Sequence, residues 1–321
     1  MALPIPTAGA VGRTPALWSV GLVGFLARGG VVVVLLPMLA VPSPVSLSVL
    51  IGPDLVDANG LSARVAALLV LAGGLAALAV AGGLVLAALA DIAAFAGGLS
   101  AAGVATPSLA TRPTVRLVAE LLALQLVAAV PLLVALVPTV TAMAGVVRQE
   151  ILLPSDQTVP LWWRVIEGSW PWPAVVGATA LLSTHIYSVV GRELLARRMG
   201  LLPPAAPPSG MRRALTIAVA LVRRPGRTLS ASVATWVLGL LATVLAAALI
   251  DAGWALAQMA YLSPPPAGAS LPQAAAVWAT AAAATVVLVG LLATALVLLG
   301  ATAALRSALL TRAALAGRGL T

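Results

Sequence analysis

Six long apolar stretches alternate along the chain with shorter segments that are richer in Pro, Ser, Arg and Asp. Each stretch is long enough to cross a bilayer as an α-helix, which takes about 20 mostly apolar residues. The pattern predicts an all-α, polytopic membrane protein that forms a single transmembrane domain. The predicted spans cover about residues 16–41, 65–95, 117–147, 173–190, 229–262 and 273–305. The first stretch is too long for the core of a signal peptide, so we expect it to be retained as a span.

Composition supports a lipid environment and excludes several classes of site. The chain is 61% hydrophobic and 8% charged, whereas soluble domains carry about 25% charged residues. It has no cysteine, which excludes disulfides, thiolate nucleophiles and Cys-type metal sites. The formal charge is +9, but the arginines lie in short segments between the spans, so we do not predict nucleic-acid binding.

The distribution of arginine predicts the orientation of the chain. With a cytoplasmic N-terminus, the outer segments hold only Arg64, Arg148 and Arg164, and most other arginines fall in inner segments. Cytoplasmic loops of membrane proteins are enriched in Lys and Arg. We therefore predict that both termini are cytoplasmic and that residues 191–228 form a basic cytoplasmic loop. The absence of lysine and the abundance of Ala, Gly, Pro and Val indicate a GC-rich coding bias, and we expect a multi-pass protein of a bacterial inner membrane.

Arg28 lies near the middle of the first predicted span, directly before Gly29-Gly30. A charge at the bilayer centre costs on the order of 3 kcal/mol on insertion scales, so it usually has a partner or faces a wet cavity. Two interpretations stay open. Arg28 is paired inside the helix bundle, or the first span is shorter and the side chain extends to the membrane surface.

Three carboxylates are possible partners of Arg28, namely Asp91, Glu120 and Asp251. Each also fits a wet position at a membrane surface, and Glu120 lies one helical turn from Arg116, where a local ion pair is possible. The sequence does not rank these partners. Together with Arg28 they form a candidate intramembrane polar site, which would suit the passage of protons or ions.

His185, the only histidine, belongs to the same set of candidate residues. On a helix it shares one face with Ser188 and Arg192, and we expect this face to point into the bundle. His185 is either a hydrogen-bonded packing residue or a functional group. A single histidine makes no zinc site without carboxylates from other spans, and no nucleophile motif accompanies it, so we predict no catalytic residue, metal or cofactor.

Two spans are predicted to be broken inside the membrane. Gly29-Gly30 and Pro37 interrupt the first span, and Pro131 and Pro138 interrupt the third. Broken helices free backbone carbonyls that can hold an ion or a substrate. The same residues also fit simple packing adjustments.

Small residues recur in the second span at one-turn spacing, at Gly73, Ala77 and Ala81. Such a stripe lets another helix approach closely. The neighbour is either another span of the chain or another subunit.

Residues 161–173 hold half of the eight tryptophans, Trp162, Trp163, Trp170 and Trp172. Tryptophan prefers the headgroup region of a bilayer, so the segment predicts an aromatic belt at the outer surface. The alternative is a docking surface for a partner protein or a glycan.

Residues 211–224 form a short apolar segment with arginines at both ends, followed by Arg227. The pattern predicts an interfacial helix that contacts anionic headgroups on the cytoplasmic side. Docking of a cytoplasmic ATPase is the alternative. The arginines concerned are Arg212, Arg213, Arg223, Arg224 and Arg227.

The stretch from Arg212 to Leu229, in which Arg223-Arg224-Pro225-Gly226-Arg227 leads into a span, covers about an eighth of the chain. It resembles poorly characterised bacterial multi-spanning proteins, some of them similar to the membrane domain that accompanies glycerophosphodiester phosphodiesterases. The resemblance implies a membrane role without a defined activity and assigns no catalytic residue.

These features favour a transport-type membrane component, either a permease subunit or a small carrier. The alternative is a non-catalytic structural or assembly subunit of a larger membrane complex, which the short loops favour. A membrane-embedded enzyme has the least support. No phosphate-binding loop occurs in the sequence, so ATP-driven activity would need a second chain.

Overall fold

The computed structural model describes residues 8–35, 38, 56–57, 60–101, 115–152, 161–201 and 227–316. Apart from the two-residue strands β1 (Val56–Asp57) and β2 (Gly60–Leu61), which pair antiparallel, the elements are helical. A π-helical turn, Leu26–Gly30, joins α2 to α3. The α-helices are α1 (Ala8–Gly12), α2 (Pro15–Phe25), α3 (Val31–Leu35), α4 (Ala63–Ala101), α5 (Val115–Leu152), α6 (Leu161–Gly168), α7 (Trp172–Arg198), α8 (Arg227–Tyr261) and α9 (Leu271–Ala316).

Six helical segments of the described chain are long and apolar enough to cross a membrane. This confirms the prediction of an all-α, polytopic membrane protein. The segments are Pro15–Leu35, Ala66–Ser100, Val115–Gln149, Trp172–Arg198, Ser232–Tyr261 and Leu271–Arg312.

Several helices extend beyond the apolar stretches that predicted them. α7 continues to Arg198, so the first part of the predicted loop 191–228 is helical, and α9 continues to Ala316. Hydropathy predicts where a helix leaves the lipid, but the helix itself can continue as long as its residues favour helical conformation. The residues that follow Gly191 are Arg, Glu, Leu and Ala, which are all strong helix formers. The predicted interfacial helix at 211–224 and Pro37 lie outside the described residues.

The prediction that the third span is broken is wrong. α5 continues through both Pro131 and Pro138. Each proline removes one backbone donor, and the surrounding helical bonds remain, as transmembrane helices often tolerate. The first span does break where predicted, because Arg28 (φ −89°, ψ 21°) and Gly29 (φ 94°) leave helical geometry. A φ of this sign is one that glycine adopts without steric cost.

The helices group into two compact units. The first unit takes in Met1–Ala10, Phe95–Leu238 and Arg306–Thr321, and the second Val11–Ala94 and Gly239–Leu305. In the first unit α5 packs against α7. Its buried apolar cluster consists of Leu124, Ala128, Ile186 and Val190.

The second unit holds α2 by direct contacts between backbones. A Cβ added at Gly21 would lie 2.5 Å from the carbonyl oxygen of Gly300 in α9. A Cβ added at Gly83 in α4 would lie 2.5 Å from the carbonyl oxygen of Ala27. Since real Cβ atoms do not approach backbone this closely, only glycine fits at these contacts, and they let α2 and the adjoining turn pack tightly against both helices.

A buried apolar cluster completes the second unit. Leu22 and Phe25 of α2 pack against four residues of α8 and α9, which are Ala246, Ile250, Ala295 and Leu299. Val34 of α3 and Met38 also pack against this cluster, so it joins both parts of the first span to α8 and α9.

The Gly83 contact yields a test with an adjacent control. We expect Gly83→Val to lower the free energy of unfolding by roughly 1–3 kcal/mol, the usual cost of overpacking, because the added carbons would collide with the Ala27 carbonyl. Gly82→Val should have a much smaller effect, because a Cβ at Gly82 meets nothing within 4 Å. Denaturant unfolding of both variants in micelles measures the difference, and equal losses would contradict the contact.

Candidate intramembrane polar site

Arg28 is paired with a carboxylate from another helix. Its Nη2 donates to Oδ2 of Asp91 in α4, and its Nη1 donates to the Gly24 carbonyl at 3.3 Å. α2 and α4 are close neighbours here, since a Cβ at Gly24 would lie 3.2 Å from the Cβ of Ala90. Of the two interpretations left open by the sequence, the structure shows the ion pair, with Asp91 as partner, but it does not show the expected burial, because the Arg28 side chain is 42% exposed.

The pair is only partly enclosed. The Arg28 side chain is 42% exposed and the Asp91 side chain 18%. A helix continues beyond the break, as α3, so Arg28 does not mark the end of the first helical segment. A guanidinium that faces hydrocarbon at this depth would cost on the order of 3 kcal/mol. Its exposed face therefore needs water or another polar group.

The other two predicted carboxylates have different surroundings. Glu120 accepts hydrogen bonds from Arg116 at 3.3 Å and from Nε of Arg198 at 3.2 Å. Because Arg116 is 80% exposed, we expect its pair to contribute little to stability. Asp251 is exposed on α8, and no ion pair to it occurs among the described residues.

His185 lies in a second polar region, in the first unit. It is 1% exposed, and its Nδ1 lies 2.5 Å from Oγ of Ser232 in α8. Ser188 and Arg192, predicted to share its helix face, are also buried. The predicted inward face of α7 is therefore buried from His185 to Arg192.

Arg192 links α7 to the last part of α9. Its Nε donates to Thr311 Oγ1 at 3.1 Å, and its Nη2 donates to Ser307 Oγ at 3.1 Å. Its Nη1 donates to the Ser188 carbonyl at 3.2 Å. These neutral oxygens satisfy a buried guanidinium without leaving its donors in an apolar environment.

Sequence reasoning missed the residues that complete this second region, Ser232, Ser307 and Thr311. A signal was present, because Ser307 and Thr311 lie one helical turn apart near the end of a long apolar stretch. Thr311 Oγ1 also donates to the Ser307 carbonyl at 2.8 Å. Both His185 and Ser232 are buried, which suits a role in packing. No group of three or more metal-ligating residues occurs in the described part of the chain.

The predicted aromatic segment begins with α6, which contains Trp162 and Trp163. Trp163, Trp170 and Trp172 are exposed, around the start of α7. Exposed tryptophans at the end of an apolar span suit a membrane surface, and the choice between a belt and a docking surface stays a prediction.

The small-residue stripe of α4 is exposed at Gly73, Ala77 and Ala81, and a Cβ at Gly73 would meet nothing within 4 Å. The identity of the neighbouring helix, another span or another subunit, stays a prediction.

The basic set can be placed only in part. Arg227 is the first residue of α8, whereas Arg212, Arg213, Arg223 and Arg224 lie outside the described residues.

No protein-family model, curated protein or solved structure matches the chain. The resemblance of Arg212–Leu229 to multi-spanning bacterial proteins stays a prediction.

A double-mutant cycle tests the pair between Arg28 and Asp91. We expect Asp91→Ala to destabilise the protein, because it leaves the guanidinium without this carboxylate, and Arg28→Met with Asp91→Ala to recover part of the loss. The coupling between the two positions should be on the order of 1–3 kcal/mol. Unfolding in micelles measures it, and additive effects would show that the two side chains do not interact.

The contact between His185 and Ser232 is testable in the same way. We expect Ser232→Ala to cost about 1–2 kcal/mol, because a buried ring nitrogen loses its partner. Ser19→Ala is the control, since Ser19 is exposed and donates only to the Ala16 carbonyl of its own helix. Similar small effects of both substitutions on unfolding would show that the buried contact is dispensable.

Proposed function

We propose that the protein is a transport-type component of a bacterial cytoplasmic membrane, either a permease subunit or a small carrier. One observation carries this proposal. A partly exposed ion pair of Arg28 with Asp91 lies at a break in the first membrane span.

The energetics of this pair favour a functional role over a packing role. Charges within membrane spans are rare and costly, and they usually mark a pathway for ions or substrates. A charged side chain kept only for packing would be best enclosed, as that of Arg192 is. The Arg28 side chain, in contrast, is 42% exposed. Water in a transport path would supply hydrogen-bond acceptors for the exposed part of this guanidinium.

The break at Arg28 and Gly29 adds a second argument. Transporters commonly bind their substrates where a span is interrupted, because the chain there has lost its regular helical bonding and can change conformation. Here the interruption and the charged side chain coincide within two residues. The substrate stays unidentified, and ATP-driven transport would need a cytoplasmic ATPase as a separate subunit.

A structural or assembly subunit is the second candidate function. It is favoured by the first half of α4, whose apolar residues, such as Leu68 and Val70, are exposed together with the stripe around Gly73. Membrane helices associate through such small-residue surfaces. In this case the protein would be extracted from its membrane with other subunits and would carry no flux.

Solute flux tests the transport proposal. We expect proteoliposomes of the protein to pass at least one member of a panel of ions, organic acids, amino acids and sugars faster than protein-free vesicles. Arg28→Ala should reduce this flux about tenfold or more, equivalent to at least about 1.4 kcal/mol of lost interaction. Radiotracer uptake or the change in vesicle volume measures it.

The matched control is Arg116→Ala, which removes a largely exposed arginine outside the intramembrane pair. It should leave the flux unchanged. Flux at the protein-free level for the whole panel would contradict the transport proposal and favour the structural one. Flux that Arg28→Ala leaves intact would remove the pair from the pathway.

A further inference from the structure

Three charged side chains of the first unit meet where α5 begins and α7 ends. Glu120 accepts a hydrogen bond from Nε of Arg116 at 3.3 Å. It also accepts two from Arg198, one from Nε at 3.2 Å and one from Nη2. The two helices are in contact near this end, because a Cβ added at Gly191 would lie 3.8 Å from Cδ2 of Leu121. Two guanidiniums thus share one carboxylate, and one positive charge is left in excess.

Most N–H donors of these two arginines have no acceptor in the described part of the chain. Arg116 uses only its Nε there, and its side chain is 80% exposed. Arg198 uses Nε and Nη2, and its side chain is 41% exposed. Both side chains contact Oε1 of Glu120, which holds the two guanidiniums close together. Paired guanidiniums with spare donors suit a phosphate group, whose oxygens accept such bonds in parallel.

The cluster lies at the ends of two apolar helical segments. Arg116 is the second residue of the candidate span Val115–Gln149, and Arg198 is the last residue of the candidate span Trp172–Arg198. Apart from Glu120, the next charged residue of α5 comes only at the opposite end of its span. Arginines at the end of an apolar span extend their guanidiniums to the membrane surface. The phosphates of lipid headgroups lie at this level.

A strip of exposed apolar side chains continues from Arg116 into the span. It consists of Ala123, Val130 and Val134. Their spacing from Arg116 is close to whole helical turns, so they share its face of α5. At about 1.5 Å per residue, Ala123 and Val130 lie about 10 and 21 Å from Arg116 along the helix. One leaflet is half of a hydrocarbon core of about 30 Å, so the strip runs through the leaflet next to the cluster, as an acyl chain does.

We propose that Arg116 and Arg198 bind the phosphate of one anionic phospholipid, whose acyl chain lies along this strip of α5. The excess positive charge favours a lipid with net negative charge over a zwitterionic one. A free phosphate ion would meet the same donors, but it would gain nothing from the apolar strip. The site is separate from the predicted headgroup contacts of residues 211–224, because it is built on two membrane spans. It goes beyond the proposed function, because a carrier and a structural subunit can each hold such a lipid.

Lipid binding by the purified protein tests the site. Dioleoyl phosphatidylglycerol or dioleoyl phosphatidylcholine is added to the protein in detergent, and native mass spectrometry measures the Kd of each lipid. We expect phosphatidylglycerol to bind more tightly. Arg116→Gln should weaken its binding about tenfold, equivalent to about 1.4 kcal/mol, and Arg198→Gln at least as much. Because the Arg116 side chain is 80% exposed, its variant should fold normally even if the Arg198 variant does not.

The matched control is Arg312→Gln, which removes the same charge from another exposed arginine of the first unit. It should leave the preference for phosphatidylglycerol unchanged. An equal loss in this control, or binding that neither Arg116→Gln nor Arg198→Gln weakens, would overturn the proposal.

Inorganic phosphate separates the two sources of the phosphate group. In large excess over the lipid, it should displace no more phosphatidylglycerol than sodium chloride of the same ionic strength does. Stronger displacement by phosphate would show that the site takes the free ion and would overturn the assignment to a lipid. The readout is lipid binding, so a failed flux assay would leave this result unaffected. Arg116→Ala keeps its expected result in the flux assay, because the cluster contains neither member of the pair between Arg28 and Asp91.

Discussion

The need to satisfy the partly exposed guanidinium of Arg28 within a membrane span is the constraint on which the second unit depends. Arg28 meets it through the Gly24 carbonyl and Asp91. The break at Gly29 interrupts the regular helix directly after Arg28. In lipid the free-energy cost of leaving this charge without a partner is high. The helix break lies at Arg28 itself, and the acidic residue that pairs with it, Asp91, comes from a neighbouring span.

Close helix packing makes that arrangement possible. Lipid tails are as apolar as leucine, so the hydrophobic effect does not drive membrane helices together, and van der Waals contact between closely approaching backbones must do so. Gly21 lets α2 approach α9, and Gly83 lets α4 approach the Ala27 carbonyl next to Arg28. A larger residue at Gly83 would push α4, and with it Asp91, away from the guanidinium. The ion pair and the glycine contact are thus parts of one packing arrangement.

The spans were predictable because an apolar stretch and a membrane helix follow from the same requirement for length and hydropathy. The buried face of His185 was predictable from helical periodicity. The partner of Arg28 was not, because Asp91 and Asp251 look alike in sequence and only the packing of α2 against α4 selects between them. The predicted break in α5 was wrong because the sequence shows that each proline lacks a backbone N–H donor. It does not show that the backbone hydrogen bonds around each proline are kept. The predicted end of α7 was too early, because hydropathy indicates which residues lie in the lipid and not where the helix ends.

The two polar regions are satisfied in different ways, and this difference bears on their roles. Around Arg192 the acceptors include the hydroxyls of Thr311 and Ser307 in α9 and the Ser188 carbonyl of its own helix, and the side chain is buried. Such an arrangement fixes one geometry and has no open face for a ligand. Arg28 pairs with Asp91 and its side chain is 42% exposed, so water or an ion can reach it without unpacking the helices. A polar group that has to exchange partners during a transport cycle needs that access, and this is why the proposed function rests on Arg28 and Asp91 and not on His185.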